Sequence, residues 1–160
     1  MRDHNGAMKL IVSNRKARHE YTILETVEAG ISLVGTEVKS LREGRASLAD
    51  AYAFLDAGEV VLKGLHITAY SHTSQTHLDP RRDRKLLLHK MEIRRLLGKV
   101  REKGLTLVPL RMYFNARGIA KVELGLARGK REYDKRRTIS EREAKREMQR
   151  AFKDRTRSRD

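Results

Sequence analysis

The chain has 160 residues, of which 36% are charged and 39% apolar, and 36 Lys and Arg against 21 Asp and Glu leave a formal net charge of +15. That length suits one modest core, and the positive field calls for a polyanionic partner. Having no cysteine, the chain is excluded from disulfide frameworks, thiolate metal sites and cysteine nucleophiles, and it has no apolar run near the ~18 to 20 residues that span a bilayer. With no signal-peptide stretch at its N-terminus, a soluble cytoplasmic protein without a membrane partner is expected.

In chain order, residues 1–9 read as flexible, and Arg15, Lys16 and Arg18 then form a basic patch ahead of the first strand. Tyr21 to Val27 and Ile31 to Val38 alternate as strands around Ala29-Gly30, with Glu28 interrupting the first. Ala51 to Leu55 and Val60 to Leu62 flank Asp56-Ala57-Gly58-Glu59, a hairpin turn. Thr68 to Arg84 is polar and aperiodic, a long surface loop whose end adds a second basic patch at Arg81, Arg82, Arg84 and Lys85. Ile93, Leu96, Leu97 and Val100 recur at helical spacing, and Gly104 is placed to stop that helix. Leu105 to Phe114 and Ile119 to Ala127 form a second hairpin around Asn115-Ala116-Arg117-Gly118. In its last strand Val122, Leu124 and Leu126 share one face, so Lys121 points to solvent or to a ligand.

About six short strands with one or two helices make a mainly β body, residues 1–127, expected to be a small closed barrel of the OB-fold type. Residues 128–160 are different in kind, carrying 14 Lys and Arg against 7 acids and few apolar side chains. This basic tail is expected to stay disordered when free, because it cannot offset its ordering entropy alone. It nevertheless carries helical instructions: Ser140 with Glu143 reads as a capping box, and Ala144, Met148, Ala151 and Phe152 form a narrow apolar stripe. A partner surface would therefore order it as a helix.

Chemistry-bearing motifs are sparse. The six histidines (His4, His19, His66, His72, His77 and His89) lack metal-ligand spacing, and no Walker loop, nucleophile elbow or dinucleotide fingerprint is present, so no metal or cofactor is expected. Glu37 or Asp50 could be imagined as a nuclease base, but no spacing pairs either with a histidine. Phosphate binding by three basic patches, the third at Arg128, Lys130 and Arg131, is favoured instead. With only 5% aromatic residues, recognition leans on RNA shape and backbone more than on stacked bases.

Several blocks together resemble the SmpB family, the bacterial small protein B that binds transfer-messenger RNA. They are Ser13-Asn14-Arg15-Lys16-Ala17-Arg18-His19-Glu20-Tyr21, Glu28-Ala29-Gly30, Gly35-Thr36-Glu37-Val38-Lys39-Ser40-Leu41-Arg42, Arg84-Lys85-Leu86-Leu87-Leu88, Gly125-Leu126-Ala127-Arg128-Gly129-Lys130-Arg131 and Asp134-Lys135-Arg136-Arg137. The resemblance implies an OB-like barrel that grips the tRNA-like domain of transfer-messenger RNA, with a tail that senses an empty messenger channel on the small ribosomal subunit. Elongation factor Tu would be met indirectly, through the charged RNA, and the protein would be an adaptor rather than an enzyme.

Carried over by motif, Asn14, Glu28, Leu87, Lys121 and Arg128 fall where the family meets RNA. Lys121 and Arg128 would contact phosphates, Asn14 and Glu28 bases or 2′-hydroxyls, and Leu87 the face of a base. Lys130, Arg131, Tyr133, Asp134, Lys135 and Arg136 match the family's tail motif near the decoding centre. Tyr133 stands where some relatives have histidine, which favours stacking over proton-linked switching. A general ribosomal or assembly RNA-binding protein is the alternative reading, and a ribonuclease the weaker one.

Overall fold

The computed structural model describes residues 8–70, 78–130 and 142–153. The chain divides into two compact units, Met1–Gly129 and Lys130–Asp160. In the first, the order of elements is β1 (Lys9–Ser13), α1 (Arg15–Glu20), β2 (Tyr21–Ile31), α2 (Gly35–Arg42), β3 (Ala46–Ser47), β4 (Tyr52–Asp56), β5 (Glu59–Lys63), β6 (His66–Ile67), β7 (Arg84–Leu87), α3 (Lys90–Lys103), β8 (Thr106–Phe114) and β9 (Ala120–Gly129). In the second unit residues 142–153 are helical, α4, with every side chain exposed, including the stripe of Ala144, Met148, Ala151 and Phe152. Ser140 and Glu141, the expected start of that helix, lie outside the described residues.

The main sheet runs β1-β8-β4-β5-β7-β2-β9, and β8 also pairs with β9, so six strands close into a ring with β1 added outside β8. A small separate sheet pairs β3 with β6. The β4–β5 hairpin turns at Ala57 and Gly58, whose φ values of 48° and 80° are the pair of positive angles a two-residue hairpin loop requires. Val60 and Leu62 of β5, Leu86 of β7, Ala29 and Ile31 of β2, Val122, Leu124 and Leu126 of β9 and Met112 of β8 fill one core, which Leu96 of α3 joins. Glu25 of β2 accepts from Lys99 and Arg95 of α3; those two hydrogen bonds lower its carboxyl pKa and fix the helix to the ring.

β8 serves two cores. Leu107, Met112 and Phe114 belong to the ring interior, whereas Val108 and Leu110 pack with Ala17 and Ala127 beneath α1. The change of face comes from an irregularity between Pro109 and Arg111, where a residue without an N–H costs no ladder hydrogen bond.

Three expectations change. Ile31 to Val38 is not a strand: β2 runs through Glu28 to Ile31, and α2 begins at Gly35. The helix is started locally, because the Val34 N–H donates to the Glu37 side chain at 3.1 Å, a capping interaction that the alternating pattern conceals. The patch at Arg15, Lys16 and Arg18 is itself a helix, α1, capped by Asn14. Arg84 is not part of a basic surface at all: it opens β7, is 1% exposed, and is ion-paired with Glu37, which is 6% exposed.

That pair is fully furnished. Arg84 donates to Glu37 Oε2 at 2.6 Å, to the Leu65 carbonyl at 2.7 Å and to the Pro80 carbonyl at 3.0 Å, while Arg82 donates to both oxygens of Glu37. Burial raises the Glu37 carboxyl pKa, but hydrogen bonds from Arg82, the Val34 N–H and Arg84 outweigh it, and the net direction is below 4.5. Glu37→Gln leaves Arg84 buried without its charge partner, and is expected to cost about 3–5 kcal/mol at pH 7 in urea unfolding. A lowered carboxyl pKa contributes stability above its unfolded value and loses it as pH falls through the folded one, so the gap between wild type and variant should narrow below pH 4.5. A cost under about 1 kcal/mol at pH 7 would remove the pair's structural importance.

Candidate nucleic-acid interface

Four adjacent strands, β7, β2, β9 and β8, set the interface. Gly30 in β2 pairs with Leu87 of β7 on one side and with Lys121 of β9 on the other, and Lys121 pairs in turn with Tyr113 of β8. At about 4.8 Å per strand, Leu87 and Lys121 stand roughly 10 Å apart across the sheet. Leu87 is 51% exposed despite being a leucine in a strand, and it lies over the bare backbone of Gly30, where an added Cβ would come within 3.2 Å of the Leu87 Cβ. The result is an apolar deck beside a half-buried lysine.

Two residues along β2, on the same face as Gly30, Glu28 is exposed and accepts the hydroxyl of Tyr113. Its cross-strand neighbour Glu123 takes a different partner, Arg111 Nε at 2.7 Å, with Arg18 of α1 at 4.0 Å. Tyr113 is 5% exposed; its burial, reinforced by the acceptor Glu28, pushes the phenol pKa up to about 12. Its O–H is thus a donor at any pH at which RNA survives.

The remaining residues singled out from sequence separate from this cluster. Asn14 is buried and occupied: Oδ1 accepts from the Ala17 N–H at 3.2 Å and Nδ2 donates to the Pro109 carbonyl at 2.9 Å. It caps α1 and ties it to the irregular turn of β8 rather than presenting a polar edge outward. Arg128 is exposed, but it lies seven residues beyond Lys121 on β9, about 23 Å along the strand and on the opposite face by parity. Lys130 is half-buried, whereas Arg131, Tyr133, Asp134, Lys135 and Arg136 lie outside the described residues.

The basic patches fare unequally. Arg15, Lys16 and Arg18 are exposed on α1, with Lys16 facing Glu20 at 3.9 Å. All four cations of the second patch have carboxylates: Arg81 meets Asp50 at 3.6 Å, Arg82 and Arg84 share Glu37, and Lys85 meets Glu59 at 2.8 Å. Among the described residues no group of three His, Cys, Asp or Glu is placed to hold a metal, and no helix is long and apolar enough to cross a membrane.

Sequence reasoning missed Tyr113 and Arg111. The turn at Asn115 to Gly118 contained the signal, because zipping that hairpin back from Phe114 and Ala120 places Tyr113 opposite Lys121.

Comparison with known proteins adds the family context. The family model described as SmpB protein matches residues 11–154. SsrA-binding protein from Nocardia farcinica is 64% identical over 89% of this chain and 88% of its own length. The SsrA-binding protein of Moorella thermoacetica is 57% identical over 92% of this chain and 96% of its own. A chain from the solved structure "tmRNA-SmpB: a journey to the center of the bacterial ribosome" is 58% identical with a TM-score of 0.64, covering 80% of this chain and 93% of that one.

An alkaline absorbance titration should show a tyrosine ionising near pH 12, and Tyr113→Phe should remove that phase. A titration with no phase near pH 12 would mean that the hydroxyl is not held as described.

Proposed function

The chain belongs to the SmpB family, and we propose on that ground that it binds the tRNA-like domain of transfer-messenger RNA and delivers it to stalled ribosomes for trans-translation. The observation that carries this reading is the close match, in sequence and in fold, to a chain named with that RNA and the bacterial ribosome. Physical chemistry supports it: a +15 chain sets Lys121 beside an apolar deck at Leu87 on a closed ring, a surface suited to a folded RNA.

In this reading Lys121 meets a phosphate, Leu87 the face of a base, and Glu28 a base edge or 2′-hydroxyl, while Asn14 acts through α1, which it holds in place. Arg128 reaches a phosphate at the far end of β9. Lys130, Arg131, Tyr133, Asp134, Lys135 and Arg136 serve at the decoding centre of the small ribosomal subunit, and the rest of the basic tail follows the empty messenger channel. Elongation factor Tu is met through the charged RNA. The protein works in the cytoplasm as a binding adaptor and not as a catalyst. Of the two acids considered as a nuclease base, Glu37 is committed to two arginines and Asp50 meets Arg81 at 3.6 Å, which supports this.

Filter binding should show much tighter association with transfer-messenger RNA than with an ordinary tRNA at the same salt, and equal affinities would overturn the reading. Lys121→Ala should reduce the slope of log affinity against log salt by about one phosphate contact, roughly 0.7–0.9. Deleting the residues after Gly129 should leave RNA binding largely intact and abolish peptide tagging on stalled ribosomes; parallel loss of both would contradict the division between body and tail.

A further inference from the structure

The helix α3 has two faces of different chemistry. Inward, Leu96 is buried in the ring core, Ile93 and Val100 pack against that core, and Arg95 and Lys99 hold Glu25 of β2. Outward, Lys90, Arg94, Gly98 and Arg101 recur at helical spacing, which sets them along one stripe opposite Leu96. The three cations are exposed, and among the described residues their side chains meet no carboxylate. That separates the stripe from the patch at Arg81, Arg82, Arg84 and Lys85, where every cation has one.

Neither helix stability nor packing accounts for the residues of this stripe. Gly98 sits mid-helix, where a glycine costs stability relative to alanine, and a Cβ added there would meet nothing within 4 Å. Lys90 opens α3, the end at which the helix dipole disfavours a cation; Arg101, in the last turn, is the member that the dipole favours. A bare stretch of backbone with an arginine about one turn away on either side suits a partner that comes in from outside, because a glycine lets another chain approach closely.

The stripe lies on the other side of β2 from the row of Leu87, Gly30 and Lys121. Glu25, which α3 holds, is three residues from Glu28 in unbroken register, so the two side chains leave opposite faces of the strand, and Gly30 shares the Glu28 face. An RNA seated on that row leaves the α3 stripe to a second partner. Cations without carboxylates fit phosphates, and from Lys90 to Arg101 the stripe covers about 16 Å of helix axis, over which a folded RNA presents several of them. Glu102, about one turn beyond Gly98, is exposed at the border of the stripe and directs phosphates to the arginine side.

Resting on the delivery function proposed above, we infer that the outward stripe of α3 is a docking surface for the phosphate backbone of ribosomal RNA: Arg94 and Arg101 meet phosphates, Lys90 adds a third contact, and Gly98 lets the RNA strand close on the helix. The body then carries phosphate-binding faces on both sides of β2, one for the RNA it delivers and one for the ribosome that receives it.

The test uses the full chain in two assays: filter binding to transfer-messenger RNA alone, and co-sedimentation of that complex with ribosomes stalled on a truncated message. Arg94→Ala and Arg101→Ala should each lower the salt slope of ribosome association by roughly 0.7–0.9, one phosphate contact, and leave that of transfer-messenger RNA binding unchanged. Gly98→Ala should raise the urea midpoint, as alanine in a helix does, and yet weaken ribosome association several-fold, whereas Glu102→Gln should strengthen it. A photocrosslinking benzophenone in place of Met91, which is 81% exposed and seven residues before Gly98 on the same face, should attach to ribosomal RNA. Unchanged ribosome association when both arginines are replaced, or a crosslink to ribosomal protein alone, would overturn the docking surface while leaving transfer-messenger RNA binding standing. Weaker binding of isolated transfer-messenger RNA by the arginine variants would assign the stripe to that RNA and overturn the ribosomal one. A Gly98→Ala chain that is more stable and sediments like the wild type would overturn the close approach. Equal affinity of the wild type for transfer-messenger RNA and ordinary tRNA would instead overturn the functional reading on which the surface rests.

Discussion

The Glu37–Arg84 ion pair is the constraint on which the rest of the body depends. Two opposite charges taken out of water are tolerable only if each is fully hydrogen-bonded, and here the carboxylate has two arginines and a backbone N–H while the guanidinium has a carboxylate and three carbonyls. Meeting that demand fixes α2, the segment ending at Arg82 and the start of β7 against one another. β7 has only four residues, yet it is the strand that joins β5 to β2 and completes the ring. The buried pair therefore sets where Leu87, three residues further on, emerges beside Gly30.

Contact and support are divided along the outer face. Lys121, Leu87 and Glu28 reach outward, while Asn14 and Tyr113 spend their polar atoms within the protein. Both supporting residues are themselves held: Asn14 donates to the β8 backbone at Pro109, and Tyr113, on β8 between β1 and β9, donates to Glu28 of β2. Loss of RNA binding on changing a residue of this family is thus compatible with either role, and the geometry assigns Asn14 to the second.

Much of the fold was legible where periodicity and turn chemistry agree. The Ala57-Gly58 turn, the Asn115 to Gly118 turn and the helix stopped by Gly104 all appear within a residue or two of their expected places, because each depends on local backbone preference. Illegible parts depended on distant partners. Ile31 to Val38 alternates like a strand, but Glu37 turns back to cap a helix and then meets arginines more than forty residues away. Arg84 reads as surface charge until its partner is known. At the interface, Lys121 was legible from alternation and Leu87 from family resemblance, whereas Tyr113 needed the hairpin register and Asn14 needed a carbonyl 95 residues away.

Closing six strands on themselves also governs how the molecule behaves in company. An open sheet offers unsatisfied N–H and C=O groups to any extended chain that passes. Here the ring consumes those groups, and the outermost strand of the main sheet, β1, has five residues and begins with a lysine. The same closure that fixes the outer-face row of Leu87, Gly30 and Lys121 thus leaves the main sheet, among the described residues, a short edge at β1 for strand addition.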